Sequence, residues 1–386
     1  MGWIAVADEH PFVDLPAALV EEILKETESV AASLLGTFES IRSQKPRLRD
    51  SLKEAGLVMH ESDLGYPPIP TTCAVDGSYA IERLLTTDLA ACAAVAMEGL
   101  TPPSEVRHWD QPHHVTFITP EAHNPDTATI LRAVMLGAEL LLATQAPHDL
   151  VMLDGTLTLP IIYFNQALAK SAEEPDLVTS KEFQTRAADG LRAYLEIPRA
   201  ERSDKDHAGL PKYSTRREVG RKLKWPTHHD DRGLLTLLLE PGELTKPLTL
   251  ERPGQPWHLS TGSLPEGLRK AADAYASDIV DALDDVHVLY YKPHSWLPAL
   301  RLEVASNIAK NTHRLARVIQ GLKHQSAAPG MLEPYPLYLA DRTVKQLARA
   351  VPAFRQVTTQ RISEKYGGDI SEVFFGMHGY RSDSGA

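Results

Sequence analysis

Twice in this sequence an apolar run ends in aspartate, glycine and a hydroxyl residue: CAVDGSY at Cys73–Tyr79 and VMLDGTL at Val151–Leu157. Either Asp-Gly alone reads as a tight turn. Repeated after strands of the buried kind, the pattern can aim Asp76 and Asp154 off a sheet edge at one place, because glycine lets the backbone turn sharply or approach a ligand closely. A third carboxylate, Glu139, is the only charged residue between Ala133 and Pro147, on a segment apolar almost all round. Such a helix is buried, and a buried carboxylate is costly unless paired, protonated or bound to a cation. The bland alternatives for Glu139 are an exposed edge or an arginine partner. Three converging carboxylates repel one another, and a hard divalent cation with oxygen ligands relieves the repulsion. One or two magnesium or manganese ions held this way activate water and stabilise the charge that develops in phosphodiester cleavage.

The elements that must position these groups follow from pattern. Thr71 to Val75, Asp88 to Met97 and His114 to Thr119 read as strands, and Leu150 to Leu153 as a continuous apolar strand. Between the third and fourth strands, the run from Asn124-Pro125 to about Gln145 reads as a helix. Three strands joined by short loops are most simply antiparallel, whereas a strand reached through a helix is usually parallel to its neighbour. If the fourth strand lies beside the first, Asp76 and Asp154 stand side by side.

From Asp14 to about His60 the sequence predicts helix, with Asp14 as cap, an apolar stripe through Leu15, Leu19, Ile23, Val30, Leu34, Phe38 and Ile41, and Pro46 as a stop or kink. The stripe needs a surface to pack on, its own core or a second copy. Helices are expected at Pro160–Lys170, Ser180–Leu195, Arg232–Leu239, Pro265–Leu283, Ser306–Gly321, Leu339–Ala350 and Thr358–Tyr366, with strands at Val286–Tyr291 and Leu300–Val304. Residues 200–232 are polar and read as an excursion from the core.

The chain has 386 residues, 40 Lys plus Arg against 51 Asp plus Glu, and a net charge of −11. That length suits one large domain with additions, or two. Two cysteines, Cys73 and Cys92, exclude a disulfide scaffold and fit a reducing cytoplasm. No signal-peptide pattern and no uncharged run of about 18 residues is seen, so a soluble, cytoplasmic protein is expected. The acidic balance argues against a nucleic-acid partner. Yet Lys212, Arg216, Arg217, Arg221, Lys222 and Lys224 crowd into one segment with a single acid, Glu218, which reads as a solvated loop or a DNA-backbone contact. His108, His113, His114 and His123, and His228-His229, match no zinc spacing. With no GxxxxGK[ST] loop, ATP hydrolysis is not expected of this chain.

In order along the chain, Asp76-Gly77-Ser78, the helix Arg132 to Leu142 with Glu139, Asp154-Gly155-Thr156, Lys212 in GLPKYST, Asp231-Arg232-Gly233 with Glu240-Pro241-Gly242-Glu243, Arg301-Leu302-Glu303 and Tyr335-Pro336 resemble the motifs of the NurA nuclease family. The resemblance covers about residues 70 to 345. It implies an α/β fold with an RNase H-like mixed sheet at residues 69–260, a helical extension at 1–68 and a C-terminal region at 261–386 that completes the site. It also implies a DNA nuclease that degrades from the 5′ end and cuts single strands. Such a nuclease works as a ring-like homodimer with a HerA-type hexameric ATPase translocase, in DNA repair or antiviral defence. Asp76, Glu139 and Asp154 would hold manganese or magnesium, Lys212 would meet a phosphate or the attacking water, and Tyr335 would lie near the site. Asp341 stands where the family often carries a histidine, although Arg342 or Thr343 could align there instead. That departure keeps open a non-catalytic cap or scaffold subunit on a ring ATPase. A phosphatase on the same core is a third possibility.

Overall fold

The longest strand is also the spine of the site. In the computed structural model, which describes residues 15–262 and 264–385, the run that starts at Thr72 does not stop at Asp76-Gly77. The chain separates into two units, residues 1–54 and 55–386. The first unit contains α1 (Ala17–Lys25) and α2 (Thr27–Glu54). Pro46 lies inside α2, so the expected stop does not occur. Asp14, the expected cap, lies outside the described residues. Of the expected stripe, Leu15, Leu19, Ile23, Val30, Leu34 and Phe38 are exposed and Ile41 is half-buried.

The second unit is built on one eleven-stranded sheet. After β1 (Val58–His60) come β2 (Thr72–Leu84), β3 (Asp88–Glu98) and β4 (His113–Glu121), which run antiparallel in order. The chain then enters α3 (Thr127–Gln145) and returns as β5 (Leu150–Asp154), parallel to β2. Strand-order and direction expectations hold for these four strands. Next come α4 (Leu159–Glu173), α5 (Val178–Arg199) and β6 (Asp206–Leu210), parallel to β5. The reading of 200–232 as wholly outside the core therefore fails at β6, which is buried at every position. Its polar Asp206 is tolerated because Arg314 and Arg317 both bind it, each at 2.7 Å.

The excursion proper carries the short helix α6 (Glu218–Lys222) and α7 (Asp231–Leu238). Strands β7 (Glu243–Thr245) and β8 (Leu248–Thr249), helix α8 (Glu266–Asp284), and strands β9 (His287–Tyr291) and β10 (Leu300–Val304) then extend the sheet beyond β6. The chain ends its described course with α9 (Ser306–Ala309), α10 (Thr312–Gln325), α11 (Tyr335–Val344), α12 (Gln346–Ser363), α13 (Ile370–Gly376) and β11 (Gly379–Gly385). Here Leu339–Ala350 is split between two helices, and α12 runs through Pro352.

The order β4-β3-β2-β5-β6 makes the mixed core expected of an RNase H-like α/β fold. Because β3 lines one edge of β2 throughout, both β5 (at Thr72–Val75) and β11 (at Tyr79–Leu84) must lie on its other edge. Residues Asp76 to Ser78 fall in the interval between them. Helix α3 has a length and hydropathy sufficient to cross a bilayer. It is instead buried on most of its surface, packed against β2, β3, α4 and α5.

Candidate metal and phosphate site

Parallel pairing of β2 and β5 runs from Thr72–Leu150 to Val75–Leu153, so the next residues, Asp76 and Asp154, stand side by side. Their outlets differ. Asp154 ends its strand, and Gly155 turns the chain at φ 98°, a conformation glycine adopts without steric cost. Asp76 is mid-strand, opposite Val95, and Gly77 continues the ladder opposite Ala94. A Cβ on Gly77 would overlap the Glu139 carboxylate and lie 2.8 Å from Met135 Cγ. This glycine therefore makes room for Glu139 to reach the strand.

Helix α11 brings the fourth carboxylate. Ala340 and Val344 pack on Val95 of β3, and Asp341, next on the helix, turns to the site. Carboxylate oxygens of Asp76, Asp154 and Asp341 all lie within 4.8 Å of one another, and among the described residues no other group of three acidic, His or Cys side chains converges so closely. Lys212, just beyond β6, places its ammonium 2.9 Å from Asp154, 2.7 Å from Asp341 and 3.1 Å from Glu333. Lys345 also binds Asp341, at 2.8 Å.

A cavity of about 200 Å³ is lined by Asp76, Glu139, Asp154, Lys212, Asp341, Arg132 and Tyr163, among others. Arg132 donates to the Tyr79 hydroxyl at 2.8 Å and lies over the Tyr163 ring at 4.6 Å. Burial, then repulsion from Asp154, pushes Asp76 up to about 8. Burial and the charges of Asp76 and Asp154 hold Glu139 well above the usual carboxylate range. At Asp341 burial is outweighed by hydrogen bonds from Lys212 and Lys345, which hold the carboxyl low. The site thus gathers four carboxyl groups around two lysines, and two of the four, Asp76 and Glu139, are pushed towards their neutral forms. One oxygen of Asp76 is buried without a hydrogen-bond partner, the other accepting from Gly77 N–H at 2.8 Å. That orphaned oxygen and the raised groups are what a hard divalent cation would satisfy, so the donor set fits magnesium or manganese.

Asp76, Glu139, Asp154, Lys212 and Asp341 therefore meet. Arg342 instead donates to Tyr338, four residues before it. Tyr335 lines a different cavity, with Glu98 and Arg107, that shares no residue with the carboxylate one. Ser78 and Thr156, adjacent to the Asp-Gly pairs, do not hold the carboxylates: Ser78 donates to Gly385 O, and Thr156 to Glu303.

In the basic segment Arg217 is committed to the carbonyls of Trp225, Pro226 and His229, Arg216 to that of Glu251, and Arg221 to the Glu251 carboxylate. Lys222 and Lys224 are exposed. Cys73 and Cys92 are buried, and burial pushes the Cys92 thiol up to about 12. Arg132, Tyr163 and Glu333 were not singled out by sequence. Arg132 precedes Glu139 by seven residues, two helical turns, and that spacing was a usable signal for a shared face.

No family model matches the sequence, and no curated protein sequence does either. Solved structures do match in fold. The NurA nuclease from Sulfolobus solfataricus superposes with a TM-score of 0.56 at 13% identity, covering 92% of this chain and 99% of that one. A NurA bound to dAMP and manganese gives 0.51 at 14% identity, covering 83% of this chain and 93% of that one. A NurA with manganese gives 0.52 at 14% identity, covering 89% and 99%. The chain has a NurA-like fold.

Proposed function

We propose that this protein is a metal-dependent DNA nuclease that hydrolyses phosphodiester bonds. The observation that carries the proposal is the junction of Asp76, Glu139, Asp154 and Asp341 at adjoining strand and helix positions, with a buried Asp76 oxygen left unpartnered. The manganese in two similar structures supports the choice of cation. Asp76, Asp154 and Asp341 would hold the ion, with Glu139 beside them. A bound manganese or magnesium ion lowers the pKa of water and neutralises developing charge.

The chain's own groups do the rest. Lys212 brings a compact charge on a flexible stem to the same rim, suited to a phosphate oxygen. Arg132 and Tyr163 add a cation and an aromatic ring to the lining of the same cavity, groups that suit single-stranded DNA. Lys222 and Lys224 extend the phosphate track. Degradation from the 5′ end, single-strand cutting, a HerA-type hexameric ATPase partner, a cytoplasmic role in repair or antiviral defence, and a homodimer complete the reading. The exposed stripe on α1 and α2 supports a protein interface.

Asp76→Ala and Asp154→Ala should abolish manganese-dependent DNA cleavage with an unchanged circular dichroism spectrum; retained cleavage overturns the proposal. A net charge of −11 further predicts weak, salt-sensitive DNA binding by the chain alone, read by titration over a salt series. One observation favours a second reading, a non-catalytic subunit of a ring ATPase: Lys212 and Lys345 already give Asp154 and Asp341 internal counter-ions. In that case manganese neither raises the melting temperature nor elicits cleavage.

A further inference from the structure

The turn that carries Asp154 is held from a distance. Residues 155–157 fold over β6 at Gly209, where a Cβ would come within 3.0 Å of Gly155 O and Leu157 Cγ. Beyond Gly209 the turn meets Glu303 of β10, the residue paired with Gly209. One Glu303 oxygen accepts from Leu157 N–H at 3.0 Å and from the Thr156 hydroxyl. The other accepts from Arg301 Nη2 at 3.0 Å and Nε at 3.2 Å.

Arg301 is 1% exposed and uses its remaining three N–H donors on Glu218, at 2.8 and 2.9 Å, and on the Tyr290 hydroxyl at 2.6 Å. All five donors of the guanidinium are thereby satisfied. Glu218 opens α6, inside the basic segment between Lys212 and Lys224. Its backbone is in turn fixed by Asp231, which accepts from Val219 and Gly220 at 2.7 and 2.8 Å.

One buried cation therefore bridges two carboxylates that belong to the two working parts of the site. We infer that Arg301 is a positioning residue that ties the Asp154 turn, through Glu303, to the basic segment, through Glu218, so that cation affinity and DNA-backbone affinity are set together. This rests on the nuclease reading. A planar fork of fixed geometry is required, because lysine cannot engage both carboxylates side-on.

The experiment compares Glu303→Gln, Glu218→Gln and Arg301→Lys in the full chain, with Glu61→Gln, a buried carboxylate paired with Lys323 elsewhere, as the control for general destabilisation. Manganese affinity is measured by calorimetry without DNA, cleavage is separated into kcat and KM, and melting temperature is recorded. Glu303→Gln should weaken manganese binding about tenfold, the range for groups that orient metal ligands, and lower kcat with KM unchanged. Glu218→Gln should raise KM and leave manganese affinity alone. Arg301→Lys should do both, and Glu61→Gln neither. Wild-type manganese affinity in Glu303→Gln, or equal losses in all four variants, overturns the inference while wild-type cleavage keeps the nuclease reading intact. A wild-type chain that neither binds manganese nor cleaves DNA overturns both.

Discussion

Asp76-Gly77 and Asp154-Gly155 are the same dipeptide after the same kind of strand, and they serve the site in opposite ways. At Asp154 the glycine supplies a backbone conformation, φ 98°, with open space where a Cβ would stand. At Asp76 the backbone is ordinary strand, and the glycine supplies room for another residue's carboxylate. A motif read as a turn can therefore be a notch in a continuous strand, and only the neighbour from α3 reveals which.

The sharpest way to break this contrast is Gly77→Ala. The methyl must displace Glu139 or Met135, so stability should fall by about 1–3 kcal/mol and manganese affinity with it, measured by denaturant melts and calorimetry. Next comes pH. A carboxylate whose folded pKa is raised lends stability below its unfolded value, 3.8 for Asp76, and that contribution is lost as pH climbs through about 8. The metal-free protein should therefore melt lower at pH 9 than at pH 6, manganese should offset the drop, and Asp76→Asn should flatten it; a scan of melting temperatures against pH decides. Gly155→Ala meets no atom within 4 Å and should cost only about 1–2 kcal/mol of backbone strain, with Glu139 still seated. The smallest effect is expected from Ser78→Ala. Losing its hydrogen bond to Gly385 should cost about 0.5–1.5 kcal/mol and leave cleavage rates unchanged.

The sequence was legible where burial and chemistry coincide. Glu139 stood out as a lone charge on an apolar helix, and the repeat of Asp76 and Asp154 after apolar strands placed them together. What was hidden depended on distant partners. Strand β6 looked like loop because Asp206 is polar, and its two arginine partners come more than a hundred residues later. Strand β2 looked five residues long because Gly77 mimics a turn. The basic segment read as a solvated loop or a DNA-backbone contact, whereas Arg217 within it is bound up in local carbonyls. Pro46 read as a stop or kink, yet α2 continues through it. Lys212 and Asp341 entered through family resemblance, since neither spacing nor periodicity joins residues 129 positions apart.

The interval in β2 between its partners β5 and β11 spans three residues, roughly 10 Å of strand. A sheet edge left open over such a stretch is a template for a stray strand and hence for aggregation, and proteins commonly blunt such edges with charge. Here Asp76 occupies the opening and Asp154, Asp341 and Lys212 ring it. The side chains gathered for chemistry thus also keep the sheet from recruiting another chain, which makes their removal a risk to solubility as well as to activity.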